Sequence, residues 1–169
     1  ADSVTQIARV MADQGELSNA IDCQRQGLSL LEARYAALGG NQRAKSELAA
    51  ALDRLANMLR RAGKDDESLE THQRALALRS ELVAEAPENK EFLRSLGGSY
   101  NNIGILLRAR GDLDGALKNY RRHRDICQAL HDSQPESQRW RMSLSINHNN
   151  TALLLEAMGR LDDAIDHAR

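Results

Sequence analysis

Residues 92–122, FLRSLGGSYNNIGILLRARGDLDGALKNYRR, and residues 140–169, WRMSLSINHNNTALLLEAMGRLDDAIDHAR, are one pattern written twice, offset by 48 positions. Gly111 falls on Gly159, and the same step backwards lands on Gly63 and Gly15. Self-similarity at a fixed period of this size is the mark of a repeat architecture, in which each unit buries its apolar face against its neighbours. Seven positions before each glycine stands a small residue (Ala8, Ala56, Gly104, Ala152), and five after it another (Ala20, Ser68, Ala116, Ala164). Small side chains at those points allow two helices to cross closely.

Large apolar residues flank the small ones: Met11, Leu59, Leu107 and Leu155 before the glycine, and Ile21, Leu69, Leu117 and Ile165 after it. Farther out Leu48, Leu96 and Leu144 recur, as do Leu30, Leu78 and Ile126, and Phe92 is matched by Trp140. All of these are expected in the core. Each glycine reads as the left-handed residue that ends one helix. The Ser18, Asp66, Asp114 or Asp162 three positions later suits the start of the next. Pro87 and Pro135 close their units. In the third unit Leu113, Ala116, Leu117, Tyr120 and Cys127 fall at helical spacing on one face.

These features, with small residues on both sides of a glycine turn, then Tyr120 and a proline after the second helix, resemble the tetratricopeptide repeat. The ordinary unit is about 34 residues, with about 17 between its glycine and its proline. Here both the glycine-to-proline and the proline-to-glycine intervals are 24. Each helix has therefore gained seven residues, almost two turns, which lengthens a helix to about 30 Å without rotating its lining. The two quoted stretches further resemble the long tetratricopeptide-like arrays of bacterial multidomain proteins. The implied fold is all-α, a right-handed α-solenoid of antiparallel helix pairs. We expect a single solenoid over 1–169, with units at approximately 1–39, 40–87, 88–135 and 136–169. The second unit has Ala44 where Phe92 and Trp140 stand, the first shows no long first helix, and the fourth stops at Arg169. The ends lack the polar caps that solenoids need, which leaves Leu153, Leu161 and Ile165 underprotected. We expect further repeats in a longer parent, or end-to-end association.

Composition agrees with helices: aromatics are 3% and prolines number two in 169 residues. A net charge of −1 gives no electrostatic footprint for nucleic acid or an anionic membrane. The short basic run Tyr120–Asp125 reads as a solvated face. No apolar run approaches the roughly 20 residues of a membrane span. Cys23 and Cys127 stand alone, which favours reduced packing residues and a cytoplasmic location. The sequence starts at Ala1, without Met or a visible signal peptide.

His72, His123, His131, His148 and His167 form no metal-ligand spacing, and His148, at the position of Leu52 and Tyr100, is expected to pack half-buried. Phosphate loops and nucleophile elbows are absent. No cofactor and no enzymatic activity are expected.

Asparagine is the polar feature above background. Asn101 and Asn102 recur as Asn149 and Asn150, all on first helices, where Asn is unfavourable without a partner. An amide offers a donor and an acceptor, matching the peptide unit of an extended ligand. In tetratricopeptide domains that hold peptides, the concave surface is lined by the first helix, and an Asn nine residues before the turn glycine grips the ligand's backbone. The resemblance gives that role to Asn102 and Asn150, while Arg54 and Gln6 stand there in the second and first units. Six before the glycine come Arg9, Asn57, Ile105 and Leu153, with Arg61 and Arg108 near the helix ends, a lining that grades from basic to apolar. Its basic end suits an acidic group or a C-terminal carboxylate. The expected partner is thus a protein or peptide. Equally, the asparagines could bond to the neighbouring unit and order the stack. A further reading is a regulatory or assembly segment of a larger signalling protein, self-associating through open ends.

Overall fold

The computed structural model describes residues 2–13 and 15–160, with the side chains of 2–5, 9 and 13 excepted. Seven α-helices and no strands occur among the described residues. The chain divides into two compact units, 1–85 and 86–169. The first holds α1 (Asp2–Asp13), α2 (Leu17–Ala37), α3 (Gln42–Arg61) and α4 (Asp65–Glu85). The second holds α5 (Lys90–Ala109), α6 (Leu113–Ser133) and α7 (Gln138–Ala157). From α2 onward each helix has 20 or 21 residues, about 30 Å, the length that two added turns require.

The turns are closed as the glycines dictate. Gly15, Gly63, Gly111 and Gly159 have φ between 72° and 86°, a region that costs an L side chain strain. One residue past each glycine, a backbone N–H donates to the carbonyl of Met11, Leu59, Leu107 or Leu155 at 2.9 Å. This is the six-to-one bond of a Schellman closure. The residue that supplies the apolar contact before the turn therefore also supplies the acceptor that closes it. At the other end of each pair, Asn41 Oδ1 accepts from Ala44 N at 2.9 Å, and Asn89 Oδ1 from Glu91 N and Phe92 N. Those caps lie 48 residues apart, and Ser137 holds the same place before α7. Pro87 and Pro135 follow α4 and α6 by two residues. In the α2–α3 connection Gly39 takes that place, and Gly39 and Gly40 have φ of 60° and 69°.

In the first unit the core runs from Ala8 and Ala12 through Ala20, Ile21, Leu28 and Leu31 to Leu48, Leu52, Leu55 and Leu59. The close crossing predicted at the small residues is direct: Ser68 Oγ donates to the Ala56 carbonyl at 2.8 Å, helix against helix. In the second unit Ala116, Leu117 and Tyr120 of α6 pack on Leu154 and Leu155 of α7, with Ile105 and Leu107 against them. A β-carbon at Gly104 would lie 2.5 Å from Tyr120 Cε1, so the glycine is what admits the ring. Trp140 is buried and donates from Nε1 to Gln134 Oε1. Both cysteines are reduced, with no disulfide between them, and burial pushes the Cys127 thiol up to about 11.

Two core expectations fail. Leu30 is 58% exposed, whereas Leu78 and Ile126 at the same repeat position are half-buried. His148 is exposed instead of half-buried. Its equivalent Tyr100 is half-buried under Arg122, which stacks on the ring and donates to its hydroxyl. Leu161, Asp162, Ala164, Ile165 and His167 lie outside the described residues, as does the side chain of Arg9.

Candidate functional site

The nine side chains singled out from sequence divide between the two compact units. Arg54, Asn57 and Arg61 share one face of α3 at positions i, i+3 and i+7, and Arg9 lies on α1. Arg54 is half-buried, Asn57 and Arg61 are exposed, and Arg61 Nη2 makes a long 3.5 Å contact with the Ala12 carbonyl at the end of α1. In the second unit Asn101, Asn102 and Arg108 are half-buried on α5, Asn150 is half-buried on α7, and Asn149 is exposed.

The structure brings together one pair of these. Asn150 Nδ2 donates to Asn101 Oδ1 at 2.9 Å, joining α7 to α5 across 49 residues of sequence. That amide bond ties the first helix of one repeat to the first helix of the next. It leaves Asn101 Nδ2 and Asn150 Oδ1 for other partners, and among the described residues no hydrogen bond of the Asn102 side chain occurs.

A set of buried polar residues behind this face was not found from sequence. Asn147 is 1% exposed, and its Nδ2 donates both to the Tyr120 carbonyl at 2.8 Å and toward His123 Nδ1 at 3.1 Å. Accepting from Asn147 fixes the neutral tautomer of His123 with its proton on Nε2. Burial lowers His123 from 6.5 to about 4. In the first unit Gln24 Nε2 donates to the Ala51 carbonyl at 3.2 Å. Gln24 and Ala51 are 27 residues apart, as are Tyr120 and Asn147, and both pairs sit at the same repeat positions. That common offset is the signal by which the sequence could have disclosed them.

Other charged groups are committed to the scaffold. The Lys45 ammonium, 6% exposed, is held between Glu81 and Glu85, whose hydrogen bonds raise its pKa and lower that of Glu85. His72 Nδ1 meets Asp53 Oδ1 at 3.0 Å, and Asp53 also binds Arg79. A concavity of about 280 Å³ between α2 and α4 has Leu55 and Leu59 in its lining, and Arg25–Glu67 and Arg74–Glu32 ion pairs straddle it. Those charges satisfy one another. None of the described helices is long and apolar enough to cross a membrane.

Paired antiparallel helices, a left-handed glycine closing each pair and a repeat-to-repeat amide bond define an all-α repeat protein of the solenoid class. Two family models of the tetratricopeptide repeat match, over residues 51–90 and 96–136. The chain is a tetratricopeptide-like repeat protein. Among solved structures it is similar to BtubC (BKLC) from P. vanneervenii, at 19% identity and a TM-score of 0.74, covering 97% of this chain and 58% of that one. It is also similar to a Podosopora anserina protein assigned as a kinesin light chain, with nearly identical TPR-like repeats. That match has 17% identity and a TM-score of 0.72, and covers 98% of this chain and 70% of the other. These likenesses establish the fold. The chain thus spans little more than half the length of BtubC. No curated protein sequence matches it. Tetratricopeptide repeats are, as a class, scaffolds for protein–protein interaction.

Proposed function

We propose that the chain holds a peptide or partner segment along a concave surface formed by its first helices, gripping the partner's backbone with side-chain amides. The observation that carries this reading is the contrast between Asn102 and Asn150. Both stand nine residues before a turn glycine, yet Asn150 is engaged by Asn101 while Asn102 keeps its amide free on a half-buried surface. A mid-helix asparagine without an internal partner is a net cost to the helix that a ligand's peptide group would offset. Asn101 Nδ2 and Asn150 Oδ1 extend the same amide surface. On α3, exposed Arg61 and Asn57 with Arg54 give the partner a reason to be acidic, since guanidinium binds carboxylate bidentately.

The test is a peptide selected from a random library with a free acidic C-terminus, titrated against the chain and its variants. Asn102→Ala is expected to weaken binding about tenfold, the loss of one or two net hydrogen bonds, and to leave the melting temperature unchanged. Asn150→Ala is expected to lower both. Should Asn102→Ala destabilise the fold and spare binding, the asparagines order the stack and the cradle reading fails.

A further inference from the structure

We infer that Gly98 is the point of closest approach for the partner's main chain: the glycine leaves room for a peptide backbone to lie directly on α5, and Asn102, one turn along the same helix, bonds a peptide group of that segment. The inference rests on the peptide-holding reading above. It adds where the partner touches and what it presents there, an extended stretch of backbone.

Glycine is less favourable inside a helix than any residue but proline, so a helical glycine calls for a contact that needs it. Three others in the second unit have such a contact within the chain. A β-carbon at Gly104 would strike the Tyr120 ring, one at Gly97 would lie 3.3 Å from His123 Cδ2 and Ile126 Cγ2, and one at Gly115 would overlap the capping carboxylate of Asp112. Around a β-carbon at Gly98, near the middle of α5, no other part of the chain lies within 4 Å. The fold does not ask for glycine at this repeat position either. Ala50 holds it in α3, half-buried, and Ile146 holds it in α7, 52% exposed.

Asn102 follows Gly98 by four residues, so the two share a face, and both are half-buried. The helix carries the same spacing one residue earlier, in Gly97 and Asn101, and that inner pair shows what the arrangement does. Side chains of α6 crowd onto Gly97, and the Asn150 amide of α7 bonds Asn101. The outer pair offers the same two things, close approach and an amide, and among the described residues nothing takes either. An extended peptide takes both, because its backbone is thin and its peptide groups are unpaired. A helical partner offers Asn102 no peptide group, since its own are bonded internally.

The probe is the library-selected peptide with an acidic C-terminus, titrated against Gly98→Ala and Gly98→Leu. Gly98→Ala puts a better helix former into open space and is expected to raise the melting temperature by about 2–4 °C. It is expected at the same time to weaken the peptide about tenfold, since its methyl group stands where the backbone would lie. Gly98→Leu is expected to abolish measurable binding with helical circular dichroism intact. A variant that folds better and binds worse separates contact from stability. If either variant binds the peptide as the unaltered chain does while Asn102→Ala still loses about tenfold, the close approach at Gly98 is overturned and the cradle stands. If Asn102→Ala also binds normally, or the library yields no binder, both readings fall. A lower melting temperature for Gly98→Ala overturns the proposal as well, because the space would then be filled from within.

Discussion

At Gly104 and Tyr120 two residues share space for one full-sized side chain. Adding a methyl group at Gly104 drives it to 2.5 Å from the ring, and Gly104→Ala is expected to cost about 1–3 kcal/mol in urea unfolding. The second repeat has Ala56 and His72 at those positions, so adding Tyr120→His should restore most of the loss. The Tyr120 hydroxyl is buried with no partner, and Tyr120→Phe is expected to leave stability unchanged or raise it. His123 gives a pH signature. Its folded pKa, about 4, lies below the ordinary 6.5, so between those values the unfolded chain binds a proton that the folded chain refuses. Stability is therefore full above pH 6.5 and falls as pH drops toward 4, by about 3 kcal/mol in all. Comparing unfolding midpoints of the chain and of His123→Gln across that range isolates the contribution. Equal slopes would show that the imidazole titrates normally.

At the scale of the helix, the periods of glycine, proline and small residues were enough to place the turns and the close crossings, since these depend on local backbone and on a shape repeated every 48 residues. Partnership was harder to read. The Asn150–Asn101 bond could be foreseen only as one of two alternatives, because an amide suits a ligand's backbone and a neighbouring helix equally. Asn147 with His123, and Gln24 with the Ala51 carbonyl, went unread because each repeat solves the same position with a different residue. Leu30 and His148 are exposed although their repeat equivalents are buried or half-buried, because a shared register fixes the position on a helix and not the neighbour across it. Lys45 shows how far chemistry can vary in a fixed shape: Leu93 holds the equivalent position, yet Lys45 is buried and carries two carboxylates. Since Glu81 and Glu85 reach solvent, Lys45→Leu is expected to shift stability by less than about 1 kcal/mol and to reduce its salt dependence, as a double comparison at low and high salt would show.

On the scale of the whole molecule, repeats predict additivity. Stability in such chains is roughly a sum of units and the interfaces between them. Deleting residues 42–89 removes one full 48-residue unit and brings Asn41, already an N-cap, directly before Lys90. The shortened chain is expected to stay helical, with its urea m-value reduced by about a quarter, in proportion to the surface removed. An m-value unchanged, or a loss of cooperativity, would show that the units are not interchangeable. The placement of Asn41, Asn89 and Ser137 also bears on inheritance. A segment copied from one of these positions to the next arrives with its own start signal, its own glycine turn and an unrotated face. Gene duplication can thus add or remove whole units without creating an unfinished helix. A single inserted residue inside α3 or α5 would turn every later side chain on that helix by about 100° and bury its polar side. Such arrays should differ among descendants in steps of whole units, with helix length held fixed.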